Sequence, residues 1–171
     1  MTAILALDLS LTATGYATSD DGVSAQGVLS APPSWREGRR LDRLVDMIDG
    51  LLSCWPDIVV IEDIPMHAKS AGLTAQLHGA VKMHGHRVGW PLPVLVPPAT
   101  LKKFATGKGN ADKTAMVVAA RDRLGYDGLD NNVADAMWLR EVGAHLLGQP
   151  TVKLPALHLS ALDKLTKELA A

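Results

Sequence analysis

Three acidic side chains stand where a carboxylate is costly. Asp8 ends the apolar run Ile4 to Leu7, Glu62 ends the run Ile58 to Ile61, and Asp135 lies among Ala134, Ala136, Met137 and Leu139. A carboxylate at the end of a buried strand, or on a packed helix surface, needs a compensating partner. Groups in such surroundings concentrate at functional sites. If the three converge, they repel one another unless a cation neutralises them, and hard oxygen ligands suit Mg²⁺ or Mn²⁺. Two such ions about 3.5–4 Å apart can activate a water and stabilise the leaving oxygen in phosphodiester hydrolysis. A glycosidase would need only two carboxylates and usually an aromatic sugar platform, and aromatics make up only 4% of this chain.

The opposite charge comes from Lys102, Lys103, Lys108 and Lys113, clustered around the segment TGKGNADKTAM at residues 106–116. Gly107 and Gly109 make the loop adaptable. Asn110 is a plausible N-cap for a helix over 111–124, whose exposed N–H groups with Lys108 and Lys113 would suit a phosphate. The GxxxxGK[ST] spacing of a Walker A loop is absent. A solvated loop is the plainer alternative.

Strands and helices must position these groups. Ile4 to Leu7 reads as a buried strand, 14–18 as a second and 23–29 as a third, with Asp20-Asp21-Gly22 as the hairpin turn. Ser10, Thr12, Thr14 and Gly15 are small and leave room beside Asp8. Residues 35–53 carry Leu41, Leu44, Val45, Ile48, Leu51 and Leu52 at helical spacing. Arg36, Arg39, Arg40 and Arg43 oppose the dipole of that helix's first turns, and they read as a solvated face or a DNA contact. Residues 57–62 form a strand buried on both faces. Glu62 and Asp63 point oppositely there, so one of them at most joins Asp8, and Glu62 lies nearer the strand body. Helices follow over 71–86 and 131–147, with a short strand over 91–96 and a helical turn or two over 100–105. Asn132 and Asp135 share one helix face. Most histidines read as surface or cap residues, with His67 the exception because it follows the acidic strand. Residues 148–155 read as a linker, and Ser160 to Asp163 as a capping box before a short amphipathic helix.

The length, 171 residues with 47% hydrophobic, fits one domain with a real core. Net charge is −1, so any contact with nucleic acid rests on local clustering of cations. The single cysteine, Cys54, excludes an internal disulfide and fits a reducing cytosol, bacterial or that of a phage-infected host. No leader is expected, because Asp8 interrupts the first apolar run and no basic segment precedes it. No apolar stretch reaches membrane-spanning length.

The order DLSLTATGYA, VVIEDI, PATLKKFATGKGNADKTAM and NNVADAMWL resembles the RuvC-type Holliday-junction resolvases over roughly residues 3–147. TGKGNADK is the most specific piece. The resemblance implies a ribonuclease-H-like α/β fold, with a mixed five-stranded sheet flanked by helices. It also implies a homodimer that nicks opposing strands of a four-way DNA junction symmetrically, leaving 5′-phosphates. The nuclease domain would span 1–147, and 148–171 would be a linker and tail helix. Asp8, Glu62 and Asp135 match the family's catalytic, metal-binding acids, with two Mg²⁺ (or Mn²⁺) ions per site. Lys102, Lys103, Lys108 and Lys113 fall in its DNA-contacting region. Where the family places an acid or histidine three residues before the last aspartate, this chain has Asn132, which can still offer a carbonyl oxygen; Asp130 stands nearby. Where the family often has an aromatic wedge after the glutamate, this chain has Pro65 and Met66, and Met66 and Lys69 are expected to face DNA. The opening DLSLT replaces the commoner DPGS. These departures, in so compact a chain, resemble a phage-encoded member.

Three other readings compete. One is a branched-DNA-binding module with weak or no cleavage, motivated by Asn132. Another is a YqgF-like RNA-processing nuclease of the same fold group. The third, an actin-like or sugar-kinase ATP fold, shares a similar opening strand but needs a second domain for which there is no room. The helices over 35–53 and 71–86 offer apolar surface for dimerisation.

Overall fold

The middle strand of the sheet, β1 (Ile4–Asp8), sends its side chains into two cores. Ile4 and Ala6 enter one and Leu5 and Leu7 the other. Strand β4 (Ile58–Glu62) repeats the division, with Ile58 and Val60 on the first face and Val59 and Ile61 on the second. Burial on both faces is why neither strand alternates with polar residues. This computed structural model describes residues 2–20, 22–64 and 71–169.

Five strands form one mixed sheet. β2 (Thr14–Asp20) and β3 (Val23–Leu29) extend it antiparallel on one side of β1. β4 and β5 (Val94–Val96) extend it in parallel on the other, giving the order β3-β2-β1-β4-β5. β5 is confined to three residues, since Pro91 and Pro93 have no N–H to give a ladder. Gly22, at φ 86, supplies the left-handed position of the β2–β3 turn.

Helices cover both faces. α1 (Glu37–Asp49) and α2 (Ala71–Val88) bury Leu44, Ile48, Leu77 and Val81 against the Leu5 and Leu7 face. That consumes most of the apolar surface the sequence offered for dimerisation, although Leu73 and Met83 remain exposed. α3 (Pro98–Thr106), α4 (Lys113–Leu124) and α5 (Asn131–Leu146) cover the other face. Past α5 the chain returns to the body. α6 (Ala156–Leu159), a 3-10 turn at Ser160–Leu162 and α7 (Asp163–Leu169) follow, burying Leu162 and Leu165 beside α3. No helix among the described residues is long and apolar enough to cross a membrane.

Local expectations fail where two residues compete for one role. Asn110 does not cap α4. Asp112 does, accepting from Ala115 N at 2.8 Å, while Asn110 sits in the turn closed by Ala111 N on Lys108 O (3.2 Å). A carboxylate therefore occupies that helix N-terminus and repels a phosphate, leaving phosphate contact to the lysine side chains. Ser160 forms no capping box, because the chain is already helical there and its hydroxyl donates back to Leu157 O (2.8 Å). α1 runs only from Glu37 to Asp49 and is capped by Gly50, shorter than the apolar periodicity suggests. Arg40 is not merely solvated, since it donates to Leu11 O at 2.7 Å and ties α1 to the β1–β2 loop. Two histidines, His78 and His158, are buried rather than superficial. Pro65, Met66, His67 and Lys69 lie outside the described residues.

Candidate active site

Alternation along the strands decides which carboxylates meet. Counting by twos from Ile4 and Ala6 puts Asp8 on the α5 face of the sheet, and counting from Ile58 and Val60 puts Glu62 there too. The parallel register sets Leu7 beside Ile61, so Asp8 and Glu62 follow as neighbours at the ends of adjacent strands. Their side chains share a hydrogen bond. Asp63, just past the end of the strand, also lines the cleft, although its Oδ1 is engaged in accepting from Ile64 N at 2.8 Å.

The third carboxylate descends from α5, which packs across β1, β2 and β4. Close approach depends on Gly15, the pairing partner of Asp8 on β2. A Cβ at Gly15 would lie 2.1 Å from Asn132 O, so only glycine admits the first turn of α5. Farther along, Gly143 passes over Ile4 and Val60 for the same reason. Asp130 caps the helix, accepting from Asn132 N (2.8 Å) and Val133 N (3.3 Å). It is thereby committed to backbone rather than aimed inward.

The result is a cleft of about 340 Å³ lined by Asp8, Glu62, Asp135, Asn132, Lys102 and Lys113. The structure brings these six together. Lys103 and Lys108 are not among the residues lining it; they lie farther along α3 and its following loop. With its amide oxygen turned toward Lys113, Asn131 accepts from Nζ at 3.1 Å and steadies that ammonium at the rim.

Electrostatics show three acids under mutual strain. Burial pushes Glu62 up to about 9, with the charges of Asp8 and Asp135 adding to it. Burial also raises Asp8 to about 6, although the Glu62 hydrogen bond and the Lys113 charge pull it down. Asp135 rises to about 7, first from burial and then from the Asp8 charge, against Lys113 and Lys102. Glu62 is thus a neutral donor to Asp8, and one proton takes the place of a cation. Asp135 Oδ1 is buried with no hydrogen-bond partner.

That arrangement fits a hard divalent ion. The donors are all oxygen, one is orphaned, and the like charges invite neutralisation. As the side chains stand, no three His, Cys, Asp or Glu groups among the described residues close into a cage. Drawing them together requires the Glu62 proton to leave.

His78 was missed by sequence reasoning. It projects from α2 into the lining of the same cleft, one turn beyond Thr74, and its Nδ1 is buried without a partner. Burial, then the Lys82 charge, lowers its pKa, so the ring is neutral; Asp63 opposes this. The four-residue spacing of Thr74 and His78 was the available signal, but nothing in the sequence says which face of α2 meets Glu62.

No protein-family model matches the chain. Curated relatives do. The crossover junction endodeoxyribonuclease RuvC of Dictyoglomus turgidum is 29% identical over 146 residues, which covers 80% of this chain and 92% of the relative. The RuvC of Halorhodospira halophila is 31% identical over 131 residues, covering 72% and 78%. Among solved structures, Thermus thermophilus RuvC superposes with a TM-score of 0.66 at 18% identity, over 86% of this chain and 98% of that one. The same protein in complex with Holliday junction substrate gives 0.64 at 16% identity, over 87% and 98%. These superpositions show a common fold.

Proposed function

Because the chain belongs to the RuvC family of crossover junction endodeoxyribonucleases, we propose that it is a metal-dependent nuclease resolving four-way DNA junctions by hydrolysis within the cleft of Asp8, Glu62 and Asp135. The observation that carries this reading is the convergence of three partly buried carboxylates on one sheet face, with an unpartnered oxygen on Asp135 and two lysines at the rim.

Asp8, Glu62 and Asp135 would hold the metal, with Asn132 as a neutral oxygen donor, and two Mg²⁺ (or Mn²⁺) ions there would supply an activated water and a stabilised leaving oxygen. This chain's residues do the rest. Asp8 and Asp135 fix the donor geometry from a strand and a helix locked together at Gly15. Lys102 and Lys113 attract the phosphodiester and between them keep all three carboxylates more acidic than burial alone would allow. Lys103 and Lys108 extend the cationic track along the DNA backbone. Symmetric paired nicks require two such sites, which supports a homodimer.

The test is strand-resolved cleavage of an immobile four-way junction beside a flap, a fork and linear duplex, in Mg²⁺, Mn²⁺ or EDTA. Paired nicks confined to the junction, absent in EDTA and in Asp135→Asn, are expected. Cutting of flaps and forks as well would make it a general branch nuclease. Asn132 brings no charge where the family has an acid or histidine, which favours a second reading, a junction-binding module. A junction that shifts on a gel and is uncut in every divalent metal would establish that reading instead.

A further inference from the structure

The end of α3 leaves carbonyls short of intrahelical partners, and three carbonyls there take donors from beyond the helical ladder or its last residue. Thr106 Oγ1 takes Lys102 O at 2.8 Å, and Gly107 N takes Lys103 O at 2.8 Å. Phe104 O takes the third, and its donor is His158 Nδ1 at 2.8 Å, from the C-terminal tail. A carbonyl only accepts, so Nδ1 carries the proton. The other ring nitrogen faces Gly107, where a Cβ would lie 3.1 Å from Nε2. Gly107, at φ 80, is the bend from which the basic loop leaves. Lys108 N then donates to Thr106 Oγ1 at 3.2 Å, so the path to Lys108 is set at the end of α3.

The tail that brings His158 is anchored twice. Leu162 and Leu165 share a core with Leu101 and Phe104. Upstream, Glu141 of α5 is 1% exposed and accepts from Thr151 N (3.0 Å), Val152 N (3.2 Å) and the Thr151 hydroxyl. Its neighbour His145 lies edge-on to the Phe104 ring at 5.1 Å.

We propose that residues 151–165 are a brace for the basic loop, and that His158 is a positioning residue which sets where Lys108 meets the DNA backbone. This deepens the proposed function and rests on the reading that Lys108 contacts DNA. His158 itself touches no substrate.

The experiment measures binding of an immobile four-way junction by the full chain in EDTA across a salt series. The variants are His158→Ala, His158→Asn and Lys108→Ala. Losing one phosphate contact lowers the slope of log K against log[salt] by about 0.9 and weakens binding roughly threefold to tenfold. Lys108→Ala and His158→Ala are both expected to show this. His158→Asn, whose amide can donate to Phe104 O, is expected to restore the wild-type slope. If His158→Ala only lowers the melting temperature and keeps the wild-type slope, while Lys108→Ala changes it, the brace is overturned and His158 is structural. If Lys108→Ala also keeps the wild-type slope, the DNA contact itself fails and takes the proposal with it. Should His158→Ala not fold, His158→Asn decides: a folded protein with a reduced slope overturns the hydrogen-bonded brace, and a wild-type slope supports it.

Discussion

Replacing Glu62 by glutamine should change how stability depends on pH, in a direction opposite to ordinary acid denaturation. In the metal-free fold Glu62 keeps its proton up to about 9, because burial and the charges of Asp8 and Asp135 disfavour its ionised form. In the unfolded chain it ionises near the ordinary glutamate value of about 4.3. Between those limits the folded state holds one more proton than the unfolded state, so stability falls as pH rises. One proton corresponds to a slope of about 1.4 kcal/mol per pH unit. Asp8 and Asp135, raised to about 6 and about 7, contribute in the same sense but mainly below neutrality. From pH 7 to 8.5 the slope belongs chiefly to Glu62, and over that interval it amounts to about 2 kcal/mol. Glu62→Gln keeps a donor toward Asp8 and cannot ionise, so its stability should be nearly flat there. Urea unfolding midpoints at half-unit steps of pH in EDTA measure the difference directly, and groups common to both proteins cancel. Mg²⁺ or Mn²⁺ should reverse the wild-type trend, since ions bind the ionised carboxylates and bind them better as pH rises. Parallel profiles for wild type and Glu62→Gln in EDTA would refute the reasoning, because Glu62 would then be ionised in the fold.

Three further outcomes follow from particular contacts. Gly15→Ala places a methyl 2.1 Å from Asn132 O, so α5 must shift; a loss on the order of 2–4 kcal/mol in unfolding experiments is expected, together with loss of cleavage. His78→Leu removes a buried, unpartnered Nδ1 and should raise stability by about 1 kcal/mol while lowering cleavage; a destabilised variant with full activity would show that the imidazole is only core. Lys113→Met removes a charge that lowers Asp8 and Asp135, so the pH midpoint for divalent-ion binding should move upward in calorimetric titrations. An unmoved midpoint would place Lys113 too far from the acids to matter.

The strands carrying Asp8 and Glu62 were legible because burial on both faces leaves an unbroken apolar run, and the carboxylate that ends such a run is conspicuous. α5 was legible from its apolar density. The rest depended on distance in space. Asn110 and Asp112 are equally good capping residues, and only the path of the loop from Gly107 selects Asp112. Gly15 looked like room beside Asp8, yet the atom it admits belongs to Asn132. Leu162 and Leu165 announced an amphipathic helix without saying what would cover it, and His158 carried no local signal, since its partner is the Phe104 carbonyl 54 positions away.

One helix joins the two functional halves of the molecule. α5 presents Asp135 to the cleft and, six residues or roughly 9 Å farther along its axis, Glu141 to the strap that leads to His158. Its last turn is clamped to the sheet by Gly143 over Ile4 and Val60, and its start by Gly15 under Asn132. A displacement of α5 would therefore move an acid and the brace of the basic loop together, whereas a change at His158 would reach the loop and leave the carboxylates in place. That asymmetry is why binding and cleavage should separate in the His158 variants and fall together in Gly15→Ala. If Gly15→Ala kept the wild-type salt slope for junction binding while losing cleavage, the two halves would be mechanically independent and α5 would serve the acids alone.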